Sequence, residues 1–79
     1  MVEVIVYSTP TCPYCVMLKD WLKEKKVSFT DFNVAEDTVK ASEMIEKTGQ
    51  RGVPVTSVNG TFVVGFDKAK LSELLSLKE

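Results

Sequence analysis

Apolar and polar positions divide the chain into seven stretches. Val2-Glu3-Val4-Ile5-Val6-Tyr7 is β-branched and mostly apolar, the pattern of a buried central strand. Residues 8–12 read as a loop. Pro13 stands where a first helical residue belongs, because its missing N–H is not needed there. The period then becomes helical as far as about Lys26. Leu18, Trp21 and Leu22 form the inner stripe, and Lys19, Asp20, Lys23 and Glu24 lie mostly on the other side. Residues 27–34 read as a second strand with Phe29 and Phe32 as its bulk, although the alternation slips between the two rings. A second helix opens near Glu36 and Asp37, whose charges suit a helix N-terminus. Its stripe is Ala41, Met44, Ile45 and Thr48, and Gly49 is its stop.

Residues 53–58 and 61–64 are two short strands joined by Asn59-Gly60, a strong hairpin signal because both residues tolerate positive φ. Asp67 caps a last helix whose buried face is Leu71, Leu74 and Leu75. The order is β-α-β-α-β-β-α. A βαβ crossover makes the first two strands parallel, and the hairpin adds antiparallel ones. The expected fold class is α/β: one domain over residues 1–79, with a mixed four-stranded sheet flanked by three helices. Trp21, Met17 and Met44 are expected in the core. The run Lys23-Glu24-Lys25-Lys26 is expected to be a solvated helix end.

Composition narrows the function. A net charge of −1 gives no electrostatic reason for a nucleic acid or an anionic membrane as partner. The N-terminus lacks the basic start and long apolar stretch of a signal peptide, and no apolar run reaches the roughly 18 residues of a membrane span. These features predict a soluble, cytoplasmic protein, and nothing in them requires more than a monomer. The cytoplasm keeps thiols reduced, so two cysteines there point to catalysis or metal binding rather than to a structural disulfide.

Those cysteines lie in Cys12-Pro13-Tyr14-Cys15, just after the first strand and at the opening of the first helix, the context of a thioredoxin-like redox pair. With Pro13 as first helical residue, Cys12 becomes the N-cap, and its sulfur faces the N–H groups of Tyr14 and Cys15. Unpaired N–H groups and the helix dipole both favour a negative sulfur. The thiolate is the reactive form, so Cys12 is the expected nucleophile. Cys15, one turn later on the same face, is placed to resolve a mixed disulfide formed at Cys12. Metal binding is the rival from another class. Structural zinc takes four ligands, usually Cys and His, and the chain has two cysteines and no histidine. One copy cannot close such a site. A dimer sharing two pairs, or an iron–sulfur cluster with outside thiols, stays open.

Thr11-Cys12-Pro13-Tyr14-Cys15 resembles the active-site signature of dithiol glutaredoxins. Gly52-Val53-Pro54 falls where that family has Thr-Val-Pro, and Val64-Gly65-Phe66-Asp67 where it has a Gly-Gly segment ending in Asp. The resemblance covers essentially the whole chain. It implies a thioredoxin fold with Pro54 in cis, and an enzyme that reduces protein or glutathione mixed disulfides without a bound cofactor. Glutathione is the implied reductant. Val53 would pair through its backbone with the cysteinyl part of glutathione, beside Pro54. Asp67, with the loop at Gly65 and Phe66, would receive the γ-glutamyl end. Tyr14 would line the groove, and Gln50 or Arg51 would meet the glycine carboxylate. Four positions depart from the family pattern. Thr9 stands where many glutaredoxins have a lysine, and Gly52 replaces the Thr of Thr-Val-Pro. Val64 replaces the first glycine, and Lys68 replaces the second of the paired acids. The Gly65-Phe66 step is also similar to the glutaredoxin-like redoxins that serve ribonucleotide reductase. Those take electrons from thioredoxin reductase, which makes that enzyme the alternative partner.

Overall fold

The computed structural model describes residues 3–50 and 52–75. Its elements are β1 (Val4–Ser8), α1 (Pro13–Glu24), β2 (Thr30–Asn33), α2 (Thr38–Thr48), β3 (Val55–Val58), β4 (Thr61–Val64) and α3 (Lys68–Leu75). The strand order is β2-β1-β3-β4. β1 pairs parallel with β2 and antiparallel with β3, and β4 pairs antiparallel with β3. The crossover and the hairpin thus produce the mixed sheet that the element order implies. Asn59 (φ 50°) and Gly60 (φ 90°) make the hairpin turn at the positive φ it requires. Among the described residues no helix is long and apolar enough to cross a membrane.

Side-chain alternation along the strands distributes the core between two faces. Val4 and Val6 of β1, Val58 of β3 and Val63 of β4 pack with Leu18, Trp21 and Leu22 of α1 and Leu71 of α3. On the opposite face Tyr7 and Val55 pack with Met44 of α2, joined by Ile5, Phe32, Ile45 and Phe62. Phe29 belongs to the first face and Phe32 to the second, which is why no single alternation fits both. Tyr7 bridges the rings of Phe32 and Phe62, with centroids 6.2 and 6.0 Å away.

Several boundaries differ from the sequence expectation. β1 reaches Ser8, while Glu3 is outside the strand and Val2 lies outside the described residues. β2 shrinks from the expected 27–34 to Thr30–Asn33, and β3 starts at Val55 rather than at residue 53. The cause at β2 is the end of α1, which closes at Glu24. Lys26 takes φ 61°; its N–H donates to Lys23 O, and the Val27 N–H donates to Leu22 O at 2.9 Å. This paired 6→1 and 5→2 arrangement is a Schellman cap, normally built on glycine. It uses Val27 for capping and packs it on the core rather than in a strand. Met17, expected in the core, is half exposed at 50%, whereas Met44 is 2% exposed. The second helix starts beside Glu36 and Asp37 and stops at Gly49 (φ 73°) as the sequence implies, with Asp37 as its N-cap, accepting the Lys40 N–H at 3.0 Å.

Lys26 carries a β-carbon in a conformation that glycine adopts at no steric cost. Lys26→Gly is expected to stabilise the protein by about 1 kcal/mol. The check is a rise in the urea midpoint at unchanged slope; a lower midpoint would mean that the lysine side chain contributes more than its backbone costs.

Candidate active site

The turn from β1 into α1 brings Cys12 to the C-terminal end of the central strand. Cys12 is the N-cap of α1 (φ −90°, ψ 113°), and its Sγ accepts the backbone N–H of Cys15 at 3.2 Å. The same sulfur lies 3.8 Å from the carbonyl oxygen of Val53, to which its thiol donates. Pro13 opens the helix, as its fixed φ allows. The two cysteines are free thiols of unequal exposure: Cys12 is half-buried, whereas Cys15 is fully buried. Burial, and next the hydrogen bond with Cys12, push the Cys15 thiol up to about 11, against smaller downward pulls from the Thr9 backbone and the Lys19 charge.

The loop before β3 reaches the sulfurs through a cis Val53–Pro54 bond, the isomer implied by the family resemblance. Pro54 is buried, and its carbonyl accepts the Gly65 N–H at 2.8 Å. Gly65 has φ 80°, a conformation that turns the chain off β4 without strain. Cys12, Val53, Pro54 and Gly65 are therefore joined by consecutive backbone and sulfur contacts. Phe66 sets its ring edge-on to Trp21 at 6.1 Å, with the Lys68 ammonium 5.3 Å from the Phe66 centroid. Asp67 caps α3 by accepting the Lys70 N–H at 3.1 Å. Tyr14 stands out from the first turn of α1, 61% exposed. Gln50 folds back on its own loop: its Nε2 donates to Gly52 O at 3.1 Å, and its Oε1 accepts the Gly52 N–H at 2.9 Å. Arg51 lies outside the described residues.

Sequence reasoning passed over one polar group next to the cysteines. Lys19 was expected on the outer side of α1, yet its Nζ reaches Asp31 Oδ2 at 3.0 Å and Ser8 Oγ at 3.4 Å. Ser8 is buried, and its hydroxyl donates to Asp31 Oδ1 at 2.6 Å. The available signal was the four-residue spacing from Cys15, which puts Lys19 on the same helix face. Among the described residues no three His, Cys, Asp or Glu side chains converge as a metal site.

The family model for glutaredoxin matches residues 4–63. The chain belongs to the glutaredoxin family. An uncharacterized glutaredoxin-like 8.6 kDa protein of the rubredoxin operon of Clostridium pasteurianum is 46% identical, covering 89% of this chain and 93% of its own. Glutaredoxin 3 of Escherichia coli is 34% identical over 85% of this chain and 81% of its own. The glutaredoxin-like protein NrdH of Lactococcus lactis is also 34% identical, over 90% of this chain and 97% of its own. Among solved structures, a point mutant of the thioredoxin-like protein BC3987 is 30% identical with a TM-score of 0.91, covering 96% of this chain and 97% of its own. This glutaredoxin therefore has the thioredoxin fold and is a thiol–disulfide oxidoreductase.

The buried thiol gives the reduced protein a characteristic alkaline behaviour. Cys15 loses its proton near 9 when free of its surroundings and near 11 in the fold, so the unfolded chain deprotonates first. Stability conferred by the protonated thiol is whole below about pH 9 and is lost as the pH rises towards 11. Cys15→Ala is expected to flatten that part of the decline. Urea denaturation of both reduced proteins at several pH values checks it, and identical slopes would dismiss the effect.

Proposed function

We propose that this glutaredoxin reduces protein disulfides by dithiol exchange, with Cys12 as nucleophile and Cys15 as resolving thiol. The observation that carries the reading is the asymmetry of the pair. One sulfur is accessible and receives a helix N–H at 3.2 Å; the other is buried one helix turn behind it. The Cys12 thiolate attacks one substrate sulfur. A Cys12–substrate bond forms, the substrate S–S bond breaks, and the leaving thiolate takes up a proton. Cys15, as thiolate, then attacks Cys12 Sγ; the Cys12–Cys15 disulfide forms and the second substrate thiolate leaves. Two electrons pass from the dithiol to the substrate. The Cys15 N–H gives the attacking Cys12 thiolate a hydrogen-bond donor. Tyr14, Val16 and Met17 supply exposed apolar surface on the first turns of α1 beside Cys12, which suits a protein partner.

For the electron donor we favour a protein of the thioredoxin reductase type. Three features support it. The Gln50 amide is engaged at both ends by Gly52, Thr9 replaces the lysine that would meet a carboxylate, and the relative NrdH matches over nearly its full length. Glutathione is the second reading. The carbonyl of Val53 beside Cys12, with Asp67 at the start of α3, favours it. Gly65, Phe66 and Tyr14 would then border the bound tripeptide.

Cys12→Ser is expected to abolish disulfide reduction, and Cys15→Ser to accumulate a mixed disulfide that mass spectrometry detects. Equal residual turnover in both variants would sink the assigned roles. In NADPH-coupled assays, turnover with thioredoxin reductase is expected to exceed turnover with glutathione and glutathione reductase. The reverse ranking would install glutathione as the donor.

A further inference from the structure

The resolving step poses an electrostatic problem. Cys15 is fully buried, and burial disfavours the thiolate that must attack, while in the resting dithiol Cys12 adds to this and the thiol is pushed up to about 11. We propose that Lys19 is the positioning residue that sustains negative charge on Cys15 while Cys15 attacks the mixed disulfide. The proposal rests on the resolving role given to Cys15 above.

Lys19 follows Cys15 by four residues, so the two side chains share one face of α1. A lysine on an exposed helix face would normally extend into water. This one is fixed: its side chain is 22% exposed, and its ammonium is held at 3.0 Å by Asp31 Oδ2 and at 3.4 Å by Ser8 Oγ. Ser8 and Asp31 come from the adjacent strands β1 and β2, and the 2.6 Å bond between them fixes both acceptors. The ammonium is thereby held between helix and sheet on the side of α1 that carries Cys15. Asp31 is its anchor and counter-charge.

Cys12 and Lys19 are the titratable groups that act on Cys15 among the described residues, and they act in opposite directions. Cys12 opposes the Cys15 thiolate through its hydrogen bond and its charge, whereas Lys19 and the Thr9 backbone favour it. Both contributions of Cys12 require it to be a free thiol or thiolate. Once its sulfur is bonded to substrate, it can neither carry charge nor donate a proton. Burial then remains as the opposing influence, while the Lys19 charge persists. Cys15 is thus kept protonated in the resting dithiol and is activated when the mixed disulfide forms. The proton leaves to solvent, the thiolate attacks Cys12 Sγ, and the departing substrate thiolate takes up a proton, so charge and electrons balance over the step.

An aromatic disulfide that releases a coloured thiolate at each step resolves the two events by stopped flow. The first release reports attack by Cys12 and the second reports attack by Cys15. In Lys19→Met the first release is expected to keep its rate. The second should slow by about twofold at neutral pH, with its inflection about 0.3 pH unit higher. Lys19→Arg, which keeps the charge, should recover most of the second rate. Overturning results are an unchanged second release, equal slowing of both releases, or slowing without movement of the inflection. Cys15→Ser is the control for the underlying role: a second release that survives in it removes Cys15 as the resolving thiol, and the inference with it.

Discussion

The contact between Cys12 Sγ and the first turn of α1 is the interaction on which the rest depends. A helix N-terminus has backbone N–H groups without intrahelical partners, and a sulfur at the N-cap receives one of them. The Cys15 N–H at 3.2 Å makes this cap and ties the first sulfur to the backbone that carries the second. Pro13 suits this geometry, because it starts the helix without offering an N–H that would need a partner. Helix initiation and the proposed nucleophile share one residue here, so a change at Cys12 touches both.

The sheet determines where that helix end lies. β1 is bonded on both sides, and Val4 and Val6 bury against α1 and α3 while Tyr7 buries against α2. A strand held in this way delivers its C-terminal end to a fixed point. The Val53–Pro54 loop reaches the same point from the start of β3, and Gly65 at the end of β4 is tied to this loop by the 2.8 Å hydrogen bond to Pro54. The Val53–Pro54 loop thus borders the Cys12 sulfur, and Gly65 is tied to that loop rather than to the sulfur itself. The paired strands Val55–Val58 and Thr61–Val64 keep the Val53–Pro54 loop and Gly65 in register.

Burial separates the two cysteines chemically. Both belong to the same helix turn, yet Cys12 is partly open to solvent and Cys15 is enclosed. A low-dielectric position raises a thiol, and a nearby ammonium lowers it, so the state of Cys15 follows from a balance that also depends on whether Cys12 is free. A pair with both sulfurs exposed would lack this difference.

The sequence by itself determined the element order, the parallel and antiparallel pairings, the start of the second helix near Asp37, its stop at Gly49, the cap at Asp67, and the place of Cys12 at the helix N-cap with Cys15 one turn on. These are legible because each depends on local periodicity, on turn chemistry or on a spacing of three or four residues. The family resemblance added Pro54 in cis and Val53 beside Cys12. Tertiary structure decided the remainder. Val27 left the second strand because Lys26 closes α1 with a positive φ that no glycine announces, and Met17 turned outwards because the inner stripe of α1 was filled by Leu18, Trp21 and Leu22. Gln50 turned on its own loop, and Lys19 was drawn inwards by Ser8 and Asp31. Lys19 depends on partners far along the chain and Met17 on the space left by packing, whereas the Lys26 cap and the Gln50 turn use near neighbours in conformations that no turn residue marks.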